Sequence, residues 1–200
     1  MPNHMTNVVI FTSDNKESID NLIQTVKMDD LPEGSIDFNK VIPEPSNCYH
    51  GDLSDEDRKK YKCNWYDFHL KNWGTKWNSY GYDYFKGKSW PKFSDIMINA
   101  VSYWQRTRFQ TAWTVPVPIY KKLSEMFPDV GITVMYADED TGNDCGIITF
   151  KNGEVAFDTP FEDGSKEAYD LYFDVNGVTP EKEGYVFDKD KNTYVWNYKE

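Results

Sequence analysis

Apolar positions recur along this 200-residue chain with two different periods. Residues 7–13, "NVVIFTS", are apolar at consecutive positions, which marks a strand covered on both faces and therefore central in a sheet. Asp14 follows, with Glu17 three positions on in capping-box spacing, and Ile19, Leu22, Ile23 and Val26 then share one helical stripe. "DDLPEGS" breaks that helix, and "SIDFNKVI" alternates as a second strand ended by Pro43 and Pro45, giving a β-α-β opening. Ser54 with Asp57 starts a further helix that Tyr61, Trp65 and Phe68 carry forward and a left-handed Gly74 closes.

Beyond it, 77–85 reads as a strand with Tyr80, Tyr82 and Tyr84 on one face, and 86–95 as a loop. Residues 100–113 form a long strand: Val101, Tyr103, Phe109, Thr111 and Trp113 share one parity, Arg106 and Arg108 the other. "VPVP" introduces a helix on Ile119, Leu123 and Met126, stopped by Pro128, before the strand "GITVMY". Asn152-Gly153 turns the hairpin "GIITFKNGEVAF". A short helix over 166–172 and a terminal hairpin, "GYVFDKDKNTYVWNY", complete the pattern.

One block raises a separate question. "NWGTKWN", residues 72–78, sets polar side chains and a lysine between two tryptophans. Physics favours a clasp: Trp73 ends a helix, Gly74 permits the turn, Thr75 and Asn78 bond turn backbone, and Trp77 starts a strand with its ring buried. Lys76 then lies along Trp73 or Trp77. The start "MPNHMTN", the run "WYDFHLKNWGTKWNSY" and the run "FQTAWTVPVPIYKKLSEMFPDVGITVMYADE" together resemble the ferredoxin-like domain family of phage and plasmid proteins typified by the plasmid YubB-like proteins. The resemblance covers about residues 1–158; His4 departs from the family's usual aromatic, and 46–63 and 86–99 are individual. It implies a fold and a mobile-element setting, and no reaction. The expected fold is α+β: a ferredoxin-like antiparallel sheet packed by two helices, with a helical insertion near 54–73 and a C-terminal β extension. The expected division is a domain over 1–158, interrupted at about 46–99, and an acidic extension over 159–200 ending in the hairpin.

Charge sharpens the picture. The net charge is -11; 17 acids and 16 bases precede Ala137, and from there on 16 acids face 6 bases. A broad basic footprint for nucleic acid is thereby disfavoured, and an acidic surface for a basic partner is permitted. No apolar run approaches the roughly 20 residues of a membrane span, and the start lacks a signal-peptide pattern, so the expected place is the host bacterial cytosol. Three cysteines are too few for a disulfide framework and are expected reduced.

Candidate chemistry is sparse. Cys48, His50, Cys63 and His69 are the right donors for zinc, but the one-residue gap between the first two is unlike zinc-site spacing, so no metal and no cofactor is expected. The pairs Asp138/Asp140 and Glu162/Asp163 suit a divalent cation in donor type but lack loop grammar. No catalytic signature is present, and a non-enzymatic protein is expected. The leading expectation is an accessory protein that binds a basic host protein, such as a nucleic-acid-handling defence factor, through Asp138, Glu139, Asp140, Asp144, Glu162, Asp163, Glu167 and Asp170. Two rivals stand beside it: a single-strand nucleic-acid binder using Arg106, Arg108 and tyrosines on the sheet, and a metal-dependent enzyme.

Overall fold

β1 (His4–Ser13) is buried along most of its length, and that double burial organises what packs around it. In the computed structural model, which describes residues 2–31, 33–98 and 101–197, β1 pairs antiparallel with β2 (Tyr103–Ala112) on one side and β3 (Gly131–Ala137) on the other. β4 (Cys145–Lys151) and β5 (Glu154–Pro160) extend the antiparallel sheet to the order β2-β1-β3-β4-β5. A separate hairpin pairs β6 (Tyr185–Asp188) with β7 (Thr193–Trp196). The α+β class, the antiparallel sheet and the C-terminal β extension are as expected. Pro32 in the first helix break, Ala100 at the head of the long strand and Tyr198 after the last hairpin lie outside the described residues.

Strand alternation sends Met5, Val9 and Phe11 to one face and Val8 and Ile10 to the other. α1 (Lys16–Val26) and α6 (Val117–Met126) cover the first face through Leu22, Ile23, Ile119 and Leu123. Asn15, one residue beyond the expected Asp14, caps α1 by accepting the Glu17 N–H. The second face is closed by α7 (Lys166–Asn176), whose Ala168, Leu171, Phe173 and Val175 are buried. Three helices therefore flank the sheet instead of two. α7 also outruns the helix expected over 166–172, because Ser165 caps its start and left-handed Gly177 ends it four residues later.

Several local expectations fail for tertiary reasons. Residues 35–42 form no strand: Asp37 caps the one-turn α2 (Phe38–Val41), which plugs Phe38 and Val41 into the core. The single helix expected from Ser54 divides into α3 (Asp55–Lys60) and α4 (Trp65–Asn72). The Ser54/Asp57 capping box forms as read, but Asn64 starts α4 anew, and a bridge from Tyr49 to Asn64 occupies the break. Cys48 and Cys63 beside it are joined as a disulfide, where reduced thiols were expected, and Cys145 alone is a free, buried thiol among the described residues. The strand expected over 77–85 contributes one bridge, Tyr80 to Gln110, before left-handed Gly81 turns it into a 3-10 helix (Tyr82–Phe85). The loop expected over 86–95 gives way to α5 (Lys92–Ile98), which opens where Asp174 accepts the Lys92 N–H at 3.0 Å.

The 72–78 block is a clasp, but its parts differ from the expectation. Trp73 is 3% exposed, donates from Nε1 to the Ile42 carbonyl at 2.9 Å and stacks on His69 at 3.7 Å between ring centres. Gly74 has φ 76° as read, whereas Trp77 is 37% exposed and its ring is not buried. Thr75 reaches beyond its turn: its hydroxyl donates to the Ala112 carbonyl and accepts the Ala112 N–H. Asn78 joins α2, accepting the Phe38 N–H and donating to Asp37. Asn72 holds its own helix through the Phe68 carbonyl, and Lys76 sits 5.0 Å from both Trp77 and Trp113.

Trp73→Ala should cost about 3–5 kcal/mol in urea unfolding and Trp77→Ala less than about 1 kcal/mol, because cavity and lost transfer energy attach to the buried ring alone. A larger loss at Trp77 would place the clasp on the wrong tryptophan. In thiol titration, the denatured protein should yield one thiol per chain without reductant and three with it.

Candidate functional site

Six of the eight expected acidic contact residues, Asp138, Glu139, Asp140, Asp144, Glu162 and Asp163, gather at the sheet end where β3 leaves, β4 enters and β5 leaves. Two bonds tie the 138–144 turn to the 161–165 loop: the Gly164 N–H donates to the Gly142 carbonyl, and the Asp144 N–H donates to Asp163 Oδ1, both at 2.9 Å. The eight carboxylates divide by role. Asp138 is 7% exposed, and its Oδ1 accepts from Asn3 Nδ2 and from the Asp140 N–H, so it shapes the turn. Asp144 has φ 43°, a left-handed conformation that Asp tolerates better than most residues, and its carbonyl accepts the Asp138 N–H. Asp144 is nonetheless exposed, as are Glu139, Asp140, Glu162 and Asp163.

The electrostatics of this end are unbalanced. Among the described residues, Asp138, Asp140, Asp144, Glu162 and Asp163 form no ion pair, and Glu139 meets only His4, at 4.0 Å. Burial first, and then neighbouring carboxylates, hold both Asp138 and Asp144 above the ordinary aspartate value. The Cys145 thiol is pushed up to about 12 by its burial and then by Asp144 and Asp163.

Glu167 and Asp170 lie apart from that end, along α7. Glu167 is exposed, whereas Asp170 pairs with Lys166 and accepts from the Tyr194 hydroxyl at 2.7 Å. Both border a largely apolar groove of about 720 Å³ between α7 and the 89–93 segment, with Trp90, Phe93 and Phe161 in its walls. Nothing in the sequence announces this groove, because its walls come from stretches far apart in the chain.

The four zinc candidates do not act together. Cys48 and Cys63 are consumed by their disulfide. His50 and His69 instead meet Glu44, a residue with no motif around it: His50 Nε2 is 3.2 Å from Oε1, and His69 Nε2 is 3.4 Å from Oε2. The two rings approach different oxygens of the one carboxylate, and no group of three His, Cys, Asp or Glu side chains among the described residues is arranged to hold a metal ion. His69 Nδ1 lies 2.9 Å from the Lys76 carbonyl and donates to it, which ties α4 to the clasp.

Arg106 and Arg108 are not displayed on an open sheet face. Arg106 pairs with Asp95 at 2.7 Å and stacks on Trp90. Arg108, 4% exposed, donates to the carbonyls of Ser89 and Val175 and so binds β2 to the C-terminal end of α7. Tyr80 and Tyr82 are likewise committed, to His4 and to Ser79 with Ile36.

Residues 101–179, from β2 through α7, match the family described as the ferredoxin-like domain in Api92-like protein. No curated protein and no solved structure matches the chain. That match spans less than half of the 200 residues but includes the whole acidic end, and with the antiparallel sheet it supports a ferredoxin-like fold. No helix among the described residues is long and apolar enough to cross a membrane.

The raised carboxylates fix the sign of a pH effect. A carboxyl whose folded pKa exceeds its unfolded value favours the folded state when protonated, and that contribution is lost as pH rises through the folded value. Asp144→Asn removes one such charge and suits the left-handed backbone, so it should raise the melting temperature at pH 7 by more than at pH 3, below the ordinary value of 3.8. Equal shifts at both pH values would assign the gain to the backbone alone.

Proposed function

We propose that the protein is a non-enzymatic accessory protein of a phage or plasmid that binds a basic host protein through the acidic end of its sheet. One observation carries this reading: two carboxylate-bearing turns are joined there through backbone N–H groups, and among the described residues no lysine or arginine pairs with Asp138, Glu139, Asp140, Asp144, Glu162 or Asp163. Holding like charges close costs free energy in the isolated protein, and a basic partner surface removes that cost on binding. Proteins that handle nucleic acids present such surfaces, so a nucleic-acid-handling defence factor is the partner class that matches the charge and the mobile-element setting. The contact residues are the exposed Glu139, Asp140, Asp144, Glu162 and Asp163, with Asp138 shaping the turn beneath them.

Single-strand binding by the sheet is the weaker reading. Arg108 is buried under α7 and Arg106 is neutralised by Asp95, which leaves little for bases to stack on.

The test compares the protein with the triple variant Glu139→Lys, Asp140→Lys, Glu162→Lys in affinity capture from a bacterial lysate. The native protein should retain a basic protein that the variant loses, with association slowing steeply as salt shortens the Debye length from about 10 Å at 0.1 M to about 3 Å at 1 M. Melting temperatures should nearly coincide, since exposed charges contribute little to folding. Capture of the same proteins by both forms would remove the acidic end from the function, and gain of oligonucleotide binding alone would favour the rival.

A further inference from the structure

Two consecutive residues, Asn3 and His4, tie the acidic end to a row of surface rings. The Asn3 side-chain amide donates to Asp138 and to Asp140, at 3.1 and 3.3 Å, while its carbonyl accepts the Trp113 N–H at 2.9 Å. His4 Nδ1 lies 2.6 Å from the Tyr80 hydroxyl, and its Nε2 lies 4.0 Å from Glu139. The Tyr80 ring in turn meets Trp77 edge to face, with ring centres 5.9 Å apart. Trp113, Tyr80 and Trp77 therefore adjoin the turn that carries the exposed Glu139 and Asp140.

Trp113 is held in a backbone conformation that its side chain disfavours. Its φ is 75°, in the left-handed region, where a bulky residue is an outlier and Gly or Asn would be at less cost. The bond to Asn3 fixes it there, and its flanks are pinned as well. The Thr111 hydroxyl donates to the Thr114 carbonyl, and the Thr114 hydroxyl donates to the Gly74 carbonyl. Core packing does not account for the ring, which is only half-buried, nor for Trp77, which is 37% exposed. Strain that its surroundings maintain in this way collects at binding sites. The rings also suit a cation. Lys76 Nζ forms no ion pair among the described residues and lies 5.0 Å from the centre of each tryptophan. At the rim, the Arg58 guanidinium lies 4.7 Å over Tyr66, which packs edge to face on Trp113.

We infer that Trp77 and Trp113 are the anchoring centre of one interface with the acidic end, and that the partner presents arginines to them. The inference rests on the acidic-end reading: the carboxylates attract a basic partner, and the rings select guanidinium over ammonium. Arginine stacks on aromatic faces and is more weakly hydrated than lysine, and Trp, Tyr and Arg dominate the energetic centres of interfaces. Coulombic attraction alone draws the two cations about equally. Of the two cations already on the rings, Arg58 is offset by Asp67 at 4.0 Å, so Lys76 is the one that opposes such a partner.

The probe is a fluorescein-labelled decapeptide of alternating Arg and Gly, titrated by anisotropy against the full chain beside its Lys/Gly counterpart. The arginine peptide should bind saturably and about fivefold tighter or more. Trp77→Ala should cut that preference below about twofold while leaving lysine-peptide binding within about twofold of native. Trp113→Gly should do the same, and it should melt within about 4 °C of native because it relieves the left-handed backbone. A larger fall would assign the Trp113 ring to packing and overturn its place in the centre. Lys76→Gln should tighten both peptides by about twofold or more, since it removes a like charge. Equal native affinity for the two peptides, an arginine preference that survives Trp77→Ala, or weaker binding after Lys76→Gln would overturn the inference. So would tighter binding of a labelled oligothymidylate than of the arginine peptide, which would make the rings a platform for bases. The triple variant Glu139→Lys, Asp140→Lys, Glu162→Lys separates the two readings and should lose both peptides. Its retention of both would sink the acidic-end reading, whereas loss of both without an arginine preference in the native chain would sink this inference alone.

Discussion

The burial of β1 on both faces is the constraint on which the rest of the structure depends. Val8, Val9, Ile10 and Phe11 are inaccessible to solvent in succession, so apolar layers are needed above and below the sheet. α1 and α6 supply one layer and α7 the other, which makes the acidic C-terminal part of the chain indispensable to the core. Polar pins then set the position of β1 between those layers. Asn7 donates to Thr111 and accepts from Tyr120 on α6, while Thr6 donates to Asn176 at the end of α7. Buried and paired, such groups specify one register, since a slip of one residue would strand them in apolar surroundings.

Much of the sheet was legible because its signals are local. β1, β2, β3 and the Asn152-Gly153 hairpin follow from parity and turn chemistry, and Asn152 and Gly153 take the positive φ values of 53° and 79° that such a turn needs. The misreadings occurred where alternation was accidental. Residues 35–42 and 77–85 both alternate, yet they serve each other: Ser79 donates to the Ile36 carbonyl, the Tyr82 hydroxyl accepts the Ile36 N–H, and Asn78 joins Asp37 to Phe38. Side-chain bonds between two irregular segments leave no periodic trace in sequence. The two tryptophans of the clasp illustrate the same limit, since the motif identifies a turn but not which ring faces the core.

The candidate site was legible as charge and opaque as geometry. The excess of acids after Tyr136 was plain, but only the fold separates Asp138, which is buried and shapes a turn, from Glu139, Asp144 and Glu162, which face solvent. Glu44 was invisible because nothing in its neighbourhood announces two histidines from later segments.

The position of β1 in the chain has a consequence for biosynthesis. Ser13 must await Tyr103, and Thr12 must await Gly131, before either finds its neighbour in the sheet. β3, β4 and β5 form from adjacent hairpins at small loop-closure cost, whereas β1 is bound late, across long intervening chain. During translation β1 therefore emerges well before either strand that pairs with it. A nascent chain stalled within residues 14–100 carries an unsatisfied "VVIF" edge, the kind of segment that chaperones shield and that aggregates when they do not.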